Sequence, residues 1–182
     1  MSGKSQHVEL PVDRRCFLKS LAILAPTVSV VAMSEAGPPA IEPTQLRTEL
    51  IGKWTYRSFV DNPDLSLEFG KLKFAAGELS LEPAPFGEFR GYLSFDRDRL
   101  ALKGSASYGN PFSMRWQGVG DAGEAQTDHW VYDYLGYLIP RWPNGIDQRA
   151  AIVGSVIRTV PHSNGKAAAG KVASFIALKQ DP

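Results

Sequence analysis

Beyond Gly52 the chain reads in short runs of alternating apolar and polar positions, each stopped by a cluster of Gly, Pro, Asn or Asp. No stretch there sustains a 3.6-residue apolar period for more than about two turns, so the alternation has the period of strands. The segments that qualify are residues 53–60, 65–74 with a break at Gly70, 78–82, 88–95, 99–107, 112–118, 129–139, 150–160 and 171–179. Breaks such as Phe95-Asp96-Arg97-Asp98-Arg99, Tyr108-Gly109-Asn110-Pro111 and Ser163-Asn164-Gly165-Lys166 are turn-rich, so consecutive strands pair in chain order. Eight or nine strands within about 130 residues predict a closed barrel or a two-sheet sandwich, and the hairpin connections favour the barrel. No repeat of fixed period is present, which argues against a propeller or solenoid. The fold class expected is all-β: a single antiparallel up-and-down barrel of about eight strands. Ahead of it, Thr44 to Ile51 reads as a short helical turn with Thr44 as N-cap, Gly52 as the stop, and Leu46, Leu50 and Ile51 on one face.

The first 43 residues divide differently. Ser20 to Met33 carries no charge and is interrupted by Pro26, too short for the roughly 20 apolar residues of a spanning helix. Directly before it stands Asp13-Arg14-Arg15-Cys16-Phe17-Leu18-Lys19. Its residues Arg14, Arg15, Phe17, Leu18 and Lys19 resemble the twin-arginine translocation motif, with Asp13 where Ser or Thr is usual. Small residues at Ser34 and Ala36 offer a cleavage point. The expected organisation is a signal peptide over 1–36, a Pro-rich linker over 37–43 and the barrel over 44–182. The resemblance implies export of the folded chain by the twin-arginine translocase to the periplasm or beyond, with no stable membrane span.

Composition sharpens this. The whole chain carries 20 Lys+Arg against 19 Asp+Glu, and removal of residues 1–36 leaves 16 of each. A neutral domain, 43% hydrophobic overall, is neither a dedicated nucleic-acid binder nor a disordered tail. The single cysteine, Cys16, leaves with the signal, so the exported domain has no disulfide and no thiolate chemistry.

A second resemblance is carried by Gly52-Lys53-Trp54, which follows the helical turn and opens the first strand. It is similar to the Gly-x-Trp signature of lipocalins and the wider calycin group, avidins included. Thr127-Asp128-His129 partly echoes the lipocalin Thr-Asp-Tyr element, with His129 departing from it. The resemblance implies an up-and-down barrel with a short helix closing one end and Trp54 packed beneath it. It also implies an arginine on a late strand stacked on that tryptophan, and Arg158 is the matching position.

Candidate chemistry is sparse. Gly118-Val119-Gly120-Asp121-Ala122-Gly123 has the letters of a dinucleotide fingerprint, but no helix follows to hold a pyrophosphate. No serine sits in a nucleophile elbow. The mature chain holds two histidines, His129 and His162; His129 and Asp133 would lie about 13 Å apart along a strand, too far to share an ion. No metal or cofactor is expected.

The informative stretch is 129–149. Strand geometry puts Trp130, Tyr132 and Tyr134 on one face and Val131, Asp133 and Leu135 on the other. Those rings either fill a core or wall an apolar pocket, with the loop from Pro140 to Arg149 supplying Arg141, Trp142 and Asn144 as polar and aromatic contacts. An ion pair of Asp147 with Arg141 or Arg149 is the structural alternative for that loop. Residues 150–160 are apolar on both faces, as if covered by a second copy or an exported partner protein. Arg158, the only charge in that stretch, needs a partner, for which Trp54 or Asp133 would serve. Three functions fit. The leading one is an exported barrel binding a small apolar ligand through Trp130, Tyr132, Tyr134, Arg141, Trp142, Asn144 and Arg158. The second is an interaction module for another exported protein. The third is an isomerase or cyclase on a lipophilic substrate, which would require Tyr134, Asp133, Arg158 or His162 to converge.

Overall fold

The computed structural model describes residues 48–121 and 127–180. The expected signal peptide, linker and N-cap at Thr44 lie outside them. Eight strands form one closed antiparallel barrel in chain order: β1 (Gly52–Val60), β2 (Lys73–Pro83), β3 (Glu88–Phe95), β4 (Asp98–Ser107), β5 (Ser113–Gly120), β6 (Val131–Leu138), β7 (Ala151–Arg158) and β8 (Val172–Lys179). Closure is made by β8 pairing antiparallel with β1, in the register Trp54 opposite Lys179 and Ser58 opposite Phe175. This is the all-β up-and-down barrel that the alternation and the turns imply.

The alternation decides what is inside. Trp54 and Tyr56, Leu79 and Leu81, Phe89 and Leu93, Leu100 and Leu102, Met114 and Trp116, Tyr132 and Tyr134, Ile152 and Val156, and Phe175 are buried in one core. Their neighbours Arg57, Arg90, Lys103, Arg115 and Asp133 point to the outer wall, where Lys103 pairs with Glu88 at 3.6 Å and Arg90 with Glu82 at 3.6 Å. Exposed pairs of this kind add little stability. The interior is held by its rings: Trp116 lies flat on Tyr134 with centroids 5.0 Å apart, and Tyr56 on Phe175 at 5.5 Å. Offset stacks and edge contacts of this kind bring about 0.5–1.5 kcal/mol beyond area burial.

One expected strand is absent. Residues 61–68 are a loop and Phe69–Leu72 a 3-10 turn, while β2 runs unbroken through Ala75-Ala76-Gly77 and takes in the segment read separately as 78–82. The reason lies in short polar side chains that capture backbone N–H groups. Asn62 Oδ1 accepts from the Asp64 amide at 2.9 Å, and Asp64 Oδ1 accepts from the Ser66 amide at 2.9 Å and its hydroxyl at 2.7 Å. Such Asx-type bonds compete with a sheet ladder for the same donors.

One end of the barrel is closed by the helical turn at 48–50. Leu50 is buried in the core and its carbonyl accepts from Trp54 Nε1 at 3.0 Å. Lys179, at the end of β8, lies over the Trp54 ring with Nζ 4.9 Å from the centroid and donates to the carbonyls of Glu49 and Ile51. Gly52 sits between them at φ 123°, a backbone conformation that L side chains rarely adopt. The cation stacked on Trp54 is therefore Lys179, and the expectation for Arg158 is corrected. In the barrel register Arg158 pairs with Tyr132, at the opposite end from Trp54.

Candidate functional site

At that opposite end, called here the mouth, four elements converge. The starts of β2 and β6, the end of β7 and the β7–β8 connection bring together Phe74, Trp130, Tyr132, Arg158 and His162. Arg158 Nε donates to the Tyr132 hydroxyl at 3.3 Å, and its Nη1 donates to the Ala168 carbonyl at 2.9 Å. The guanidinium carbon lies 5.6 Å from the Phe74 ring centroid and 5.8 Å from that of Tyr132. The same Tyr132 oxygen is 2.7 Å from His162 Nε2, and His162 Nδ1 is 2.9 Å from Ser163 Oγ. Trp130 stacks on the His162 imidazole at 4.3 Å.

The direction of this chain turns on the His162 tautomer. Arginine only donates, so the Tyr132 oxygen accepts from Arg158; in the His162 tautomer protonated at Nδ1, Tyr132 gives its proton to Nε2 and Nδ1–H donates to Ser163, and in the other tautomer both directions reverse. Neutrality of His162 agrees with its surroundings: burial lowers its affinity for a proton, and the Arg158 charge lowers it further. Two consequences can be measured. A folded value below the ordinary one near 6.5 means that the unfolded chain takes up the proton first. The stability contributed by neutral His162 is present above that window and lost as pH falls through it, because burial disfavours the imidazolium and Arg158 repels it. A proton NMR titration of His162 should give a midpoint below the ordinary histidine value near 6.5, and Arg158→Met should move it up. A midpoint at or above the ordinary value would contradict this arrangement.

Below the mouth the interior keeps a short polar thread. The Tyr56 hydroxyl hydrogen-bonds with those of Ser58 and Tyr134, and Ser58 also donates to the Ala75 carbonyl at 3.4 Å. Burial pushes both Tyr56 and Tyr134 well above the ordinary phenol range, so they remain protonated at any physiological pH.

Two concavities border these elements. A cavity of about 640 Å³ lies at the mouth against the Trp130–His162 stack, lined also by Asp128, His129, Pro161, Ser163 and Asn164. The other, about 730 Å³, is a depression on the outer wall over β4 to β7, lined by outward residues such as Lys103, Arg115 and Gln117. Glu88, Asp133, Trp116 and Tyr134 also line it, but the linked Arg158–Tyr132–His162 group of the mouth does not reach it.

The candidates named from sequence fall into two sets. Trp130, Tyr132, Tyr134 and Arg158 share the mouth and the interior just beneath it. Arg141, Trp142 and Asn144 stand exposed in the β6–β7 connection, at the other end of the barrel. Asp133 faces outward and accepts from Gln117 Nε2 at 2.9 Å, so it does not serve as Arg158's partner. Among the described residues no group of three or more His, Cys, Asp and Glu side chains is placed to hold a metal ion. Phe74 was missed because its segment was assigned wholly to an earlier strand. The placement of His162 over Tyr132 depends on the bend of the Pro161–Gly165 turn, where Ser163, Asn164 and Gly165 all have positive φ.

No family model, curated protein or solved structure matches this chain. The closed eight-stranded antiparallel barrel with its buried aromatic cluster is compatible with a lipocalin-like fold and with ligand binding.

Proposed function

We propose that this protein is an exported small-molecule-binding barrel of lipocalin type whose ligand seats at the mouth, against Trp130 and His162. The observation that carries this reading is the hydrogen-bonded chain Arg158–Tyr132–His162–Ser163 beside a cavity of about 640 Å³ with one aromatic wall. Pre-formed concavities with a few fixed polar groups are the usual form of small-ligand sites. Because the interior below is packed with rings, the seat is the mouth itself and not a deep cup. A flat, partly apolar molecule would lie on the Trp130–His162 stack while the Asp128, Ser163 and Asn164 side chains meet its polar edge. Export rests on the twin-arginine motif, and the departure of Lys179 from the arginine that lipocalins carry keeps the kinship at the level of fold and Trp54 closure. A second reading, proton transfer on a lipophilic substrate, is favoured by one feature: the Tyr132 hydroxyl stands between a guanidinium at 3.3 Å and an imidazole at 2.7 Å.

The test is native against denaturing mass spectrometry of the chain recovered from the exported fraction of a cell with twin-arginine machinery. A polypeptide mass starting near Gly37 with a dissociable small adduct is expected. Tyr132→Phe and His162→Ala should each weaken retention of the adduct about tenfold, the scale of one lost hydrogen bond to a buried polar group. An adduct-free mass, or loss of the adduct on Trp142→Ala with neither mouth substitution having any effect, would overturn the reading.

A further inference from the structure

The end of the barrel opposite the mouth carries a feature that ligand binding does not use. Its three hairpin connections, residues 84–87, 108–112 and 139–150, each lift large apolar side chains into solvent: Phe86, Tyr108, and Trp142 with Ile146. Trp142 is 78% exposed and Ile146 89%, well beyond the partial exposure of an ordinary surface aromatic. They are held there. Gln148 braces the longest loop by accepting from the Trp142 amide at 2.8 Å and donating to the Pro140 carbonyl at 3.1 Å. Phe86 occupies φ 59°, ψ 27°, a left-handed conformation that is costly for an aromatic residue, and its side chain is fully exposed, so burial does not repay that cost.

We propose that this end docks on a lipid bilayer surface, inserting Phe86, Tyr108, Trp142 and Ile146 to the level of the headgroup–acyl boundary. Charge distribution selects that partner. The two shorter tips, Ala84-Pro85-Phe86-Gly87 and Tyr108-Gly109-Asn110-Pro111, carry no charge to desolvate, and the third adds Arg141 and Arg149 against the single Asp147, placing cations where lipid phosphates lie. The mouth end has no such uncharged tips: Asp61, Asp64, Glu68, Asp96, Asp121 and Asp128 are interspersed there with Lys71, Lys73, Arg97, Lys166 and Lys171, charges of both signs that an acyl boundary would have to desolvate. Leu65 and Phe69 are also exposed there, but Leu65 follows Asp64 and Phe69 lies tilted against Phe59 with ring centroids 4.6 Å apart. Spacing separates a bilayer from a protein partner. Around the rim, β3 and β4 separate the first tip from the second, and β5 and β6 the second from the third. Such spaced prongs lack the continuous apolar centre of a protein interface, whereas fluid lipid accommodates them one by one.

The probe is a vesicle of phosphatidylethanolamine and phosphatidylglycerol with brominated acyl chains, mixed with the full chain. Trp54 and Trp116 are buried in the barrel and Trp130 lies at the mouth, so bromine contact at the docking end reads out as quenching of Trp142 alone. Residues 20–33 are common to every variant, and a tether through them does not of itself bring Trp142 to the acyl chains. The wild-type chain should be quenched relative to unbrominated vesicles, and Trp142→Phe should lose that quenching. The double variant Phe86→Ser, Ile146→Ser should quench Trp142 at least about tenfold less efficiently per lipid added, since each apolar side chain withdrawn removes about one such factor. Circular dichroism should show the same fold in each. Equal quenching of wild type and Trp142→Phe would point to the mouth end and overturn the proposal. So would unquenched Trp142 whose emission shifts with protein concentration in the absence of vesicles, the mark of a protein interface.

Discussion

Trp116→Ala should lower the melting temperature by about 10–20 °C, read by near-UV circular dichroism, and leave the barrel close to the margin of folding. Trp116 comes from β5 and reaches across the interior, stacked on Tyr134 and edge-on to Phe89 and Phe175. Space for its ring is made by Gly136, whose absent Cβ would stand 2.9 Å from ring carbon Cζ3. Removing the indole therefore empties a volume bounded by rigid strands that cannot collapse into it. A loss of about 3–5 kcal/mol follows for an aromatic-to-alanine change, against roughly 5–15 kcal/mol for a typical domain. Trp116 Nε1 has no hydrogen-bond partner among the described residues, so Trp116→Phe removes an orphaned donor along with part of the ring and should cost distinctly less. Equal losses in the two variants would mean that the N–H is satisfied in solution.

The direction of these side chains was legible in the sequence because it is a local property. Period-two alternation alone put Trp130, Tyr132 and Tyr134 on one face, and all three point inward. What alternation does not encode is position along the barrel axis. A strand such as β6 delivers Trp130 to one end and the Pro140–Arg149 loop to the other, so the aromatic face and the loop sit at opposite ends. The strand expected at 65–74 failed for a local reason of another kind, the capture of amides by Asn62 and Asp64. The partner of Trp54 was out of reach for a non-local one. It is set by the register in which the last strand closes on the first, and nothing in either strand alone distinguishes Lys179 from Arg158.

That register can be tested directly. Lys179→Met should destabilise the barrel by about 2–4 kcal/mol, because charge-assisted hydrogen bonds contribute about 1.5–3 kcal/mol each and a half-buried cation over an indole about 1 kcal/mol, less what water recovers at the rim. The carbonyls of Glu49 and Ile51 would lose their donor, freeing the helical turn that holds Leu50 against Trp54. Trp54 emission should then move to longer wavelength as the closed end wets. Burial lowers the proton affinity of Lys179, so the site already bears a desolvation cost, and the apolar methionine recovers part of it. Lys179→Arg should be tolerated, since a guanidinium can both stack on the indole and donate to two carbonyls. Arg158→Met should leave Trp54 emission unchanged while disturbing Tyr132 and His162 at the mouth. If Arg158→Met shifts Trp54 and Lys179→Met does not, the closure register is wrong. The opposite pattern establishes that two cations near the ends of adjacent strands serve opposite ends of one barrel, Lys179 sealing its base and Arg158 orienting its mouth.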